Sequence, residues 1–450
     1  MYRRTLLLLT TLAAVVAACI GSSAAALPSP ALEAQVVSIQ RPSAIVGYPT
    51  ADYGKRAARS GTTTWRVVQG TGNCCENYLT STPGGRLLDF GGSFVNYTDD
   101  RGVTWHQVRP LTPLVNGEGT IVVAPNGDVD AIGWDPYSGD HLQAFKYEAF
   151  SGKWFYAEQP LHQPFYDREW ITVLPGPFSI NGQTVPHITF VKGGWPWKDP
   201  AFYSTDGLTY TDASSMFVDE TLSSPVEGYL RTAADSTFNW IQPNTGSGMT
   251  PLGAGSAFAS GEFTSDWGLL DPATLSWRAF TYPGGGSPQG LHQVDSAGRI
   301  NEVVPTGGGF DYRITADGGQ SWHSASVALP AGFTIDQIDF RANKALGVGA
   351  VAVHALSSDT GNDQDFAYKL NIATNQPSLA RRYTIGKGDT GSAAGVGNSV
   401  RMDFQTVAIL PDGRLAVSFL DSTTHYPSPT TGAEQTRPAL AIEQTTTLTR

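Results

Sequence analysis

Residues Thr98-Asp99-Asp100-Arg101-Gly102-Val103-Thr104-Trp105 and Thr315-Ala316-Asp317-Gly318-Gly319-Gln320-Ser321-Trp322 share one spacing, Ser/Thr-x-Asp-x-Gly-x-Ser/Thr-Trp. Ser204-Thr205-Asp206-Gly207-Leu208-Thr209-Tyr210 is a third copy, one residue shorter. Chance rarely aligns five specified positions twice. The residue types are those of a hairpin. Glycine reaches φ > 0 in the turn, Asp accepts backbone N–H groups inside it, and Trp packs between adjacent sheets.

Outward from these turns, the chain from Thr62 onward is a series of short apolar runs broken by Gly, Asn-Gly, Asp-Gly and Pro, and it lacks a sustained 3.6-residue period. One phrase recurs: polar residues, a strand, an X-Gly turn, a second strand. Glu118 to Gly127 continues into Val129–Trp134, and Asp403 to Gly413 continues into Leu415–Leu420. Weaker copies start near Glu76, Glu169, Asp235, His292 and Asp339. Their mean spacing of about 55 residues is near the roughly 40–50 of propeller repeats.

The repeated turns are Asp boxes, and through them the chain resembles the sialidase-like β-propellers. The resemblance implies one all-β propeller over residues 62–445, with seven four-stranded blades and six left open. It also implies that Asp100 and Asp317 form turns on outer hairpins, away from any active site. Asp167-Arg168-Glu169-Trp170 resembles a segment found at the start of a blade in such proteins. The family's sialidases hold a substrate carboxylate with three arginines and use a Tyr–Glu nucleophile pair with an Asp acid/base. The Phe/Tyr-Arg-Ile-Pro segment that carries the first arginine is absent here, and Arg168, Arg231, Arg341 and Arg401 are the arginines left to serve.

Composition fits a turn-rich β protein: Gly and Pro make up 79 of 450 residues, and only 15% are charged. A net charge of −11 excludes a nucleic-acid partner, whose phosphates demand a basic face. Arg3-Arg4, the apolar run Leu6–Ala18 and the small residues to Ala26 have the order of an export signal over residues 1–26. Cleavage after Ala24-Ala25-Ala26 competes with a lipobox, Val16-Ala17-Ala18-Cys19, in which Cys19 would be lipidated and give the only membrane attachment. Residues 27–61 then read as a linker or N-terminal arm. The expected product is an exported monomer, secreted or lipid-anchored at the cell surface.

In a propeller, ligands bind where the loops leading into the innermost strands converge. The polar residues ahead of each phrase are therefore the site candidates. Glu76, Glu118, Asp167, Glu169, His292 and Asp403 are the acid/base set. Arg168, Tyr78, Tyr166, Gln293, Arg401 and Gln405 are the substrate-binding set, with Trp195 and Trp197 as stacking aromatics. Each also reads as a turn or strand-start residue that satisfies backbone N–H groups. The expected partner is a polysaccharide or glycoconjugate. The expected activity is exo-glycosidic cleavage of an acidic glycan, with a uronate lyase or a non-catalytic glycan-binding propeller as the alternatives. Cys74 and Cys75, the only cysteines after the signal, are expected to form a vicinal disulfide in an oxidising compartment. A zinc site is not expected, since metal-ligand spacing of Cys and His is absent. No cofactor is expected; the acidic loop Ser357–Asp365 offers oxygen ligands of the kind Ca²⁺ takes, without EF-hand spacing.

Overall fold

The computed structural model describes residues 31–449 apart from 55–57, 71–77, 92–93, 111–117, 125, 135–140, 161–168, 181–182, 194–200, 213–229, 233–237, 242–256, 261–265, 272–275, 282–290, 296, 298, 317–320, 359–362, 388–404 and 428–433. For some strand residues, Glu118, Glu169 and His292 among them, only the backbone is described.

Every regular element described is a β-strand, gathered into six hydrogen-bonded sheets. Antiparallel meanders dominate because short turns join most of the runs, and the turn glycines supply the positive φ that such turns need. Gly102 has φ 85°, and Gly127 has φ 88°. The strands Tyr78–Ser81, Glu118–Val123, Glu169–Ile180, Leu230–Thr232, Leu291–Val294, Phe333–Asn343 and Val407–Ile409 touch one another in that order, and the last touches the first. This closed ring of inner strands, each followed outward by the further strands of its own sheet, antiparallel except where Phe238–Ile241 pairs parallel with Ala257–Ser260, is a β-propeller.

The core lies between sheets and not inside any one of them. Leu88, Phe90 and Val95 of the first sheet meet Ile121, Val129 and Phe145 of the second. Val122, Ile132 and Leu142 of the second meet Ile171, Val173 and Val191 of the third. The ninefold sheet contains two meanders. One is the four strands from Phe333–Asn343 to Ser378–Lys387. The other is Val407–Ile409, Leu415–Pro427 and Glu434–Leu448 extended by Arg59–Gln69, and Ser43–Asp52 bonds the two together.

The first hairpin repeat shows its chemistry in full. Asp100 Oδ1 accepts the N–H groups of Val103 and Thr104 at 3.0 and 2.8 Å, and Oδ2 accepts the Thr104 hydroxyl at 2.7 Å. Thr98 Oγ1 accepts the Gly102 N–H at 2.8 Å. These bonds hold the Asp100 carboxyl below its usual range, although burial works the other way. Trp105 is buried against Val68, Leu440 and Ile442. At the shorter copy, Asp206 Oδ1 takes the Leu208 and Thr209 N–H groups, and Tyr210 is the buried aromatic. Asp317 lies outside the described residues.

Of the linker or N-terminal arm expected over residues 27–61, the described part, 31–54 and 58–61, forms strands. Leu32–Glu33 is the outermost strand of the second sheet, and Gln35–Ile39 is the outermost strand of the first. Ser43–Asp52 and Arg59–Gln69 then enter the ninefold sheet. Backbone pairing holds this arm, which is why its side chains need no apolar alternation. Arg41 fastens its turn: Nη1 meets Asp89 Oδ2 at 2.9 Å, Nε donates to the Gln69 carbonyl, and the guanidinium lies 4.0 Å over the Trp105 ring. Both partners are almost fully buried. Burial pushes the Asp89 carboxyl up while Arg41 pulls it down, so neither partner tolerates loss of the other.

Arg41→Met should therefore cost about 3–5 kcal/mol of unfolding free energy in a denaturant titration, because it strands a buried carboxylate. Arg41→Met combined with Asp89→Leu should recover most of that loss. Asp100→Ala should cost about 1–2 kcal/mol through its lost turn bonds.

Candidate functional site

Three neighbouring inner strands run the same way: Gln337 and Asp339 bond the backbone of Gln405 and Val407, and Leu79 and Ser81 bond Thr406 and Ile409, so the segment just ahead of Val407–Ile409 marks one end of that part of the ring. Two polar groups occupy that end and the strands just inside it. The outer group is built on the second meander strand Val348–Ser357 and its neighbours. His354 stands directly opposite Asp365 in the antiparallel register, and its Nδ1 lies 2.9 Å from Asp365 Oδ1. Gln405, two residues ahead of Val407–Ile409, donates from Nε2 to the same Oδ1 at 3.3 Å, and its own N–H donates to Gln337 Oε1 at 3.2 Å. Asp363 accepts the Ser357 N–H at 2.7 Å.

Asp336 sits where the pairing of Phe333–Asn343 with Val348–Ser357 slips, between Ile335 and Gln337. A bulge re-aims a side chain that regular pleating would send to the other face. His354, Asp363, Asp365 and Gln405 are buried, while Asp336 and Gln337 are half-buried and form the rim of the cluster. Burial opposes the charged imidazole. It is outweighed by the hydrogen bond from Asp365 and the fields of Asp365, Asp336 and Asp363, so the His354 pKa lies above the ordinary value. A cationic imidazole aligned by a carboxylate, with further carboxyl and amide groups beside it, can donate a proton and bind hydroxyl groups.

The inner group lies deeper in the ring. Arg341 Nη1 contacts both Asp339 oxygens, at 2.9 and 3.1 Å, and its guanidinium lies 5.9 Å from the Tyr78 ring centroid. Asp339 Oδ2 also accepts the Val407 N–H at 2.9 Å, which joins neighbouring inner strands. Burial lowers the Arg341 pKa, and Tyr78 offsets this in part. Arg341 is thus committed to Asp339 and Tyr78.

Of the residues expected from the sequence, Tyr78 belongs to this inner group and Gln405 to the outer one. Gln293 is fully buried, and its Oε1 accepts the Ala342 N–H. That makes it a bridge between neighbouring inner strands. Glu118 and Glu169 are the first residues of inner strands and His292 the second, as backbone. Glu76, Tyr166, Asp167, Arg168, Trp195, Trp197, Arg401, Asp403, Cys74, Cys75 and Cys19 lie outside the described residues. Among the described residues, no three His, Cys, Asp or Glu side chains are placed to hold a metal ion.

A second His–Asp pair, His187 Nε2 to Asp130 Oδ2 at 2.9 Å with the Thr189 hydroxyl on the same oxygen, is buried between the second and third sheets. It bonds sheet to sheet. His354 and Asp365 were missed in the sequence because each sits inside an apolar strand. An ionisable residue in Val351-Ala352-Val353-His354-Ala355-Leu356 was the available signal.

No family profile matches the chain, and no curated protein sequence does. Solved structures similar to it include the intramolecular trans-sialidase of Ruminococcus gnavus in complex with oseltamivir carboxylate. That likeness has 12% identity over 84% of this chain and 91% of that one, with a TM-score of 0.32. The Dos1 propeller aligns at 10% identity over 83% and 93%, with a TM-score of 0.34. The Aleuria aurantia lectin in complex with α-methyl-L-fucoside aligns at 10% over 82% and 93%, with a TM-score of 0.28. Scores this low align the chains only loosely, and the propeller rests on the ring of strands itself.

The raised His354 pKa gives a signed expectation. Its stabilising contribution is fully present below the unfolded value of about 6.5 and is lost as pH rises through the higher folded value. The melting-temperature advantage of the wild type over His354→Gln should therefore be greatest below about pH 6.5 and shrink as pH is raised above it. An advantage that stays constant or grows would contradict the assigned pairing.

Proposed function

We propose that the chain is an exported, carbohydrate-active propeller of the sialidase-like, Asp-box type with seven blades, the ninefold sheet counting as two. Its glycan would be engaged at the end of the ring where the inner strands begin. The observation that carries this reading is the junction of His354, Asp365 and Gln405 with the bulged Asp336 at that end. Carboxyl, imidazole and amide groups converging at one propeller mouth suit the hydroxyls and the leaving-group oxygen of a saccharide. With Arg341 committed to Asp339, an acidic glycan would be held by Arg168 and Arg401, each placed in the chain just ahead of an inner strand. Glu118 and Glu169, which begin two further inner strands, would supply the second carboxyl group that glycoside hydrolysis requires.

The test is incubation of the full chain with sialylated, neutral and uronate-containing glycans, read by new reducing ends and by ultraviolet absorbance. Hydrolysis predicts reducing ends without an absorbing product, and His354→Gln should slow it about 10²–10⁴-fold. An absorbing, unsaturated product would replace hydrolysis with elimination. Binding without turnover would make the propeller a lectin, and neither binding nor turnover would overturn the reading.

A further inference from the structure

The opposite end of the ring carries a feature that the mouth does not explain. There the hairpin turns of the first and second sheets leave a groove of about 330 Å³ between them. Arg86 and Asp99 come from the first sheet, and Tyr147 and Ala149 from the second. Arg86 grips Asp99 through two bonds, Nε to Oδ1 at 2.8 Å and Nη2 to Oδ2 at 3.0 Å. Its guanidinium is also sandwiched between two rings, 4.1 Å over Tyr97 of the first sheet and 4.5 Å over Tyr147 of the second. A bidentate pair clamped between aromatic faces is rigid, so the walls of the groove are set before anything binds. Gly84, Gly127 and Ala149 line the remainder. Small residues at these turns leave the space open.

We propose that this groove is a binding site for a single neutral saccharide ring, separate from the mouth. The charges select the ligand. Asp99 neutralises Arg86, so a free anion meets the carboxylate and a cation meets the guanidinium. A hydroxyl group satisfies both, because it accepts from one and donates to the other. The Asp99 side chain is 52% exposed and keeps acceptor capacity for such a group. The half-buried Tyr147 ring lines the groove beside Arg86, and the part of it that Arg86 leaves uncovered offers apolar surface to the C–H groups of a sugar. The volume is at the lower end of the roughly 300–1,000 Å³ of ligand sites, which suits one ring and not a buried oligosaccharide.

The test uses the full chain with the methyl glycosides of glucose, galactose, mannose and N-acetylglucosamine, by saturation-transfer NMR and calorimetric titration. At least one should bind at millimolar concentration. Tyr147→Ala and Asp99→Asn should each weaken it tenfold or more, and His354→Gln should leave it unchanged. Should Tyr147→Ala fail to fold, as judged by its melting curve, Asp99→Asn at the exposed position decides the matter. The proposal is overturned if none of the four glycosides binds, if binding survives Asp99→Asn, or if it is lost in His354→Gln, which would place the sugar at the mouth.

Discussion

A ring of sheets has two free edges until its ends meet, and an exposed edge is a row of unpaired N–H and C=O groups. Everything in this protein depends on the pairing that removes those edges. Arg59–Gln69, near the start of the described chain, lies antiparallel to Glu434–Leu448 at its end. Side chains reinforce the seam. Trp65 packs edge-on against Tyr383 at 5.3 Å, and Glu443 accepts bonds from Tyr383 and Lys369 of the neighbouring meander. Upstream, Arg41 locks the arm against Asp89 and Trp105 of the first sheet. The hairpin at Asp100 therefore does more than turn a strand, because its Trp105 is the surface on which the arm is pinned.

Closure also explains where chemistry collects. Inner strands held in a ring bring their first residues together, although the chain separates them widely. Gln405 reaches Asp365 across 40 residues of sequence, and the Asp339 carboxylate bonds Val407 across 68. The two ends of the ring are unlike. At one end strands begin, and polar side chains converge on His354. At the other end tight turns close the sheets, and the polar groups mostly satisfy one another, as Arg86 and Asp99 do.

Much of the fold was legible in the residues. The Thr98–Trp105 spacing encodes a turn in which the Thr98 and Asp100 side chains bond within the turn itself, and Glu118 and Glu169 mark the first residues of inner strands because polar residues precede apolar runs there. The arm was not legible. Ser43–Asp52 is half-exposed and gains its order from two neighbours hundreds of residues away or just beyond a turn, so the period of its own side chains says little. The site was legible in part. Gln405 and Tyr78 precede or begin inner strands, the rule that singled them out as candidates. His354 and Asp365 lie on the second and third strands of their meander and meet only through cross-strand register, a relation no local pattern records.

The most direct measurement of ring closure is a disulfide across the seam. Thr63 and Thr446 are paired in the register, with their hydroxyl oxygens 3.4 Å apart. Thr63→Cys combined with Thr446→Cys should therefore cross-link in the native protein on mild oxidation, without backbone movement. Peptide mapping by mass spectrometry under non-reducing conditions should recover the peptides around the two positions as one disulfide-linked species, with a raised melting temperature. Two separately alkylated thiols in the folded, oxidised protein would contradict the closed ring.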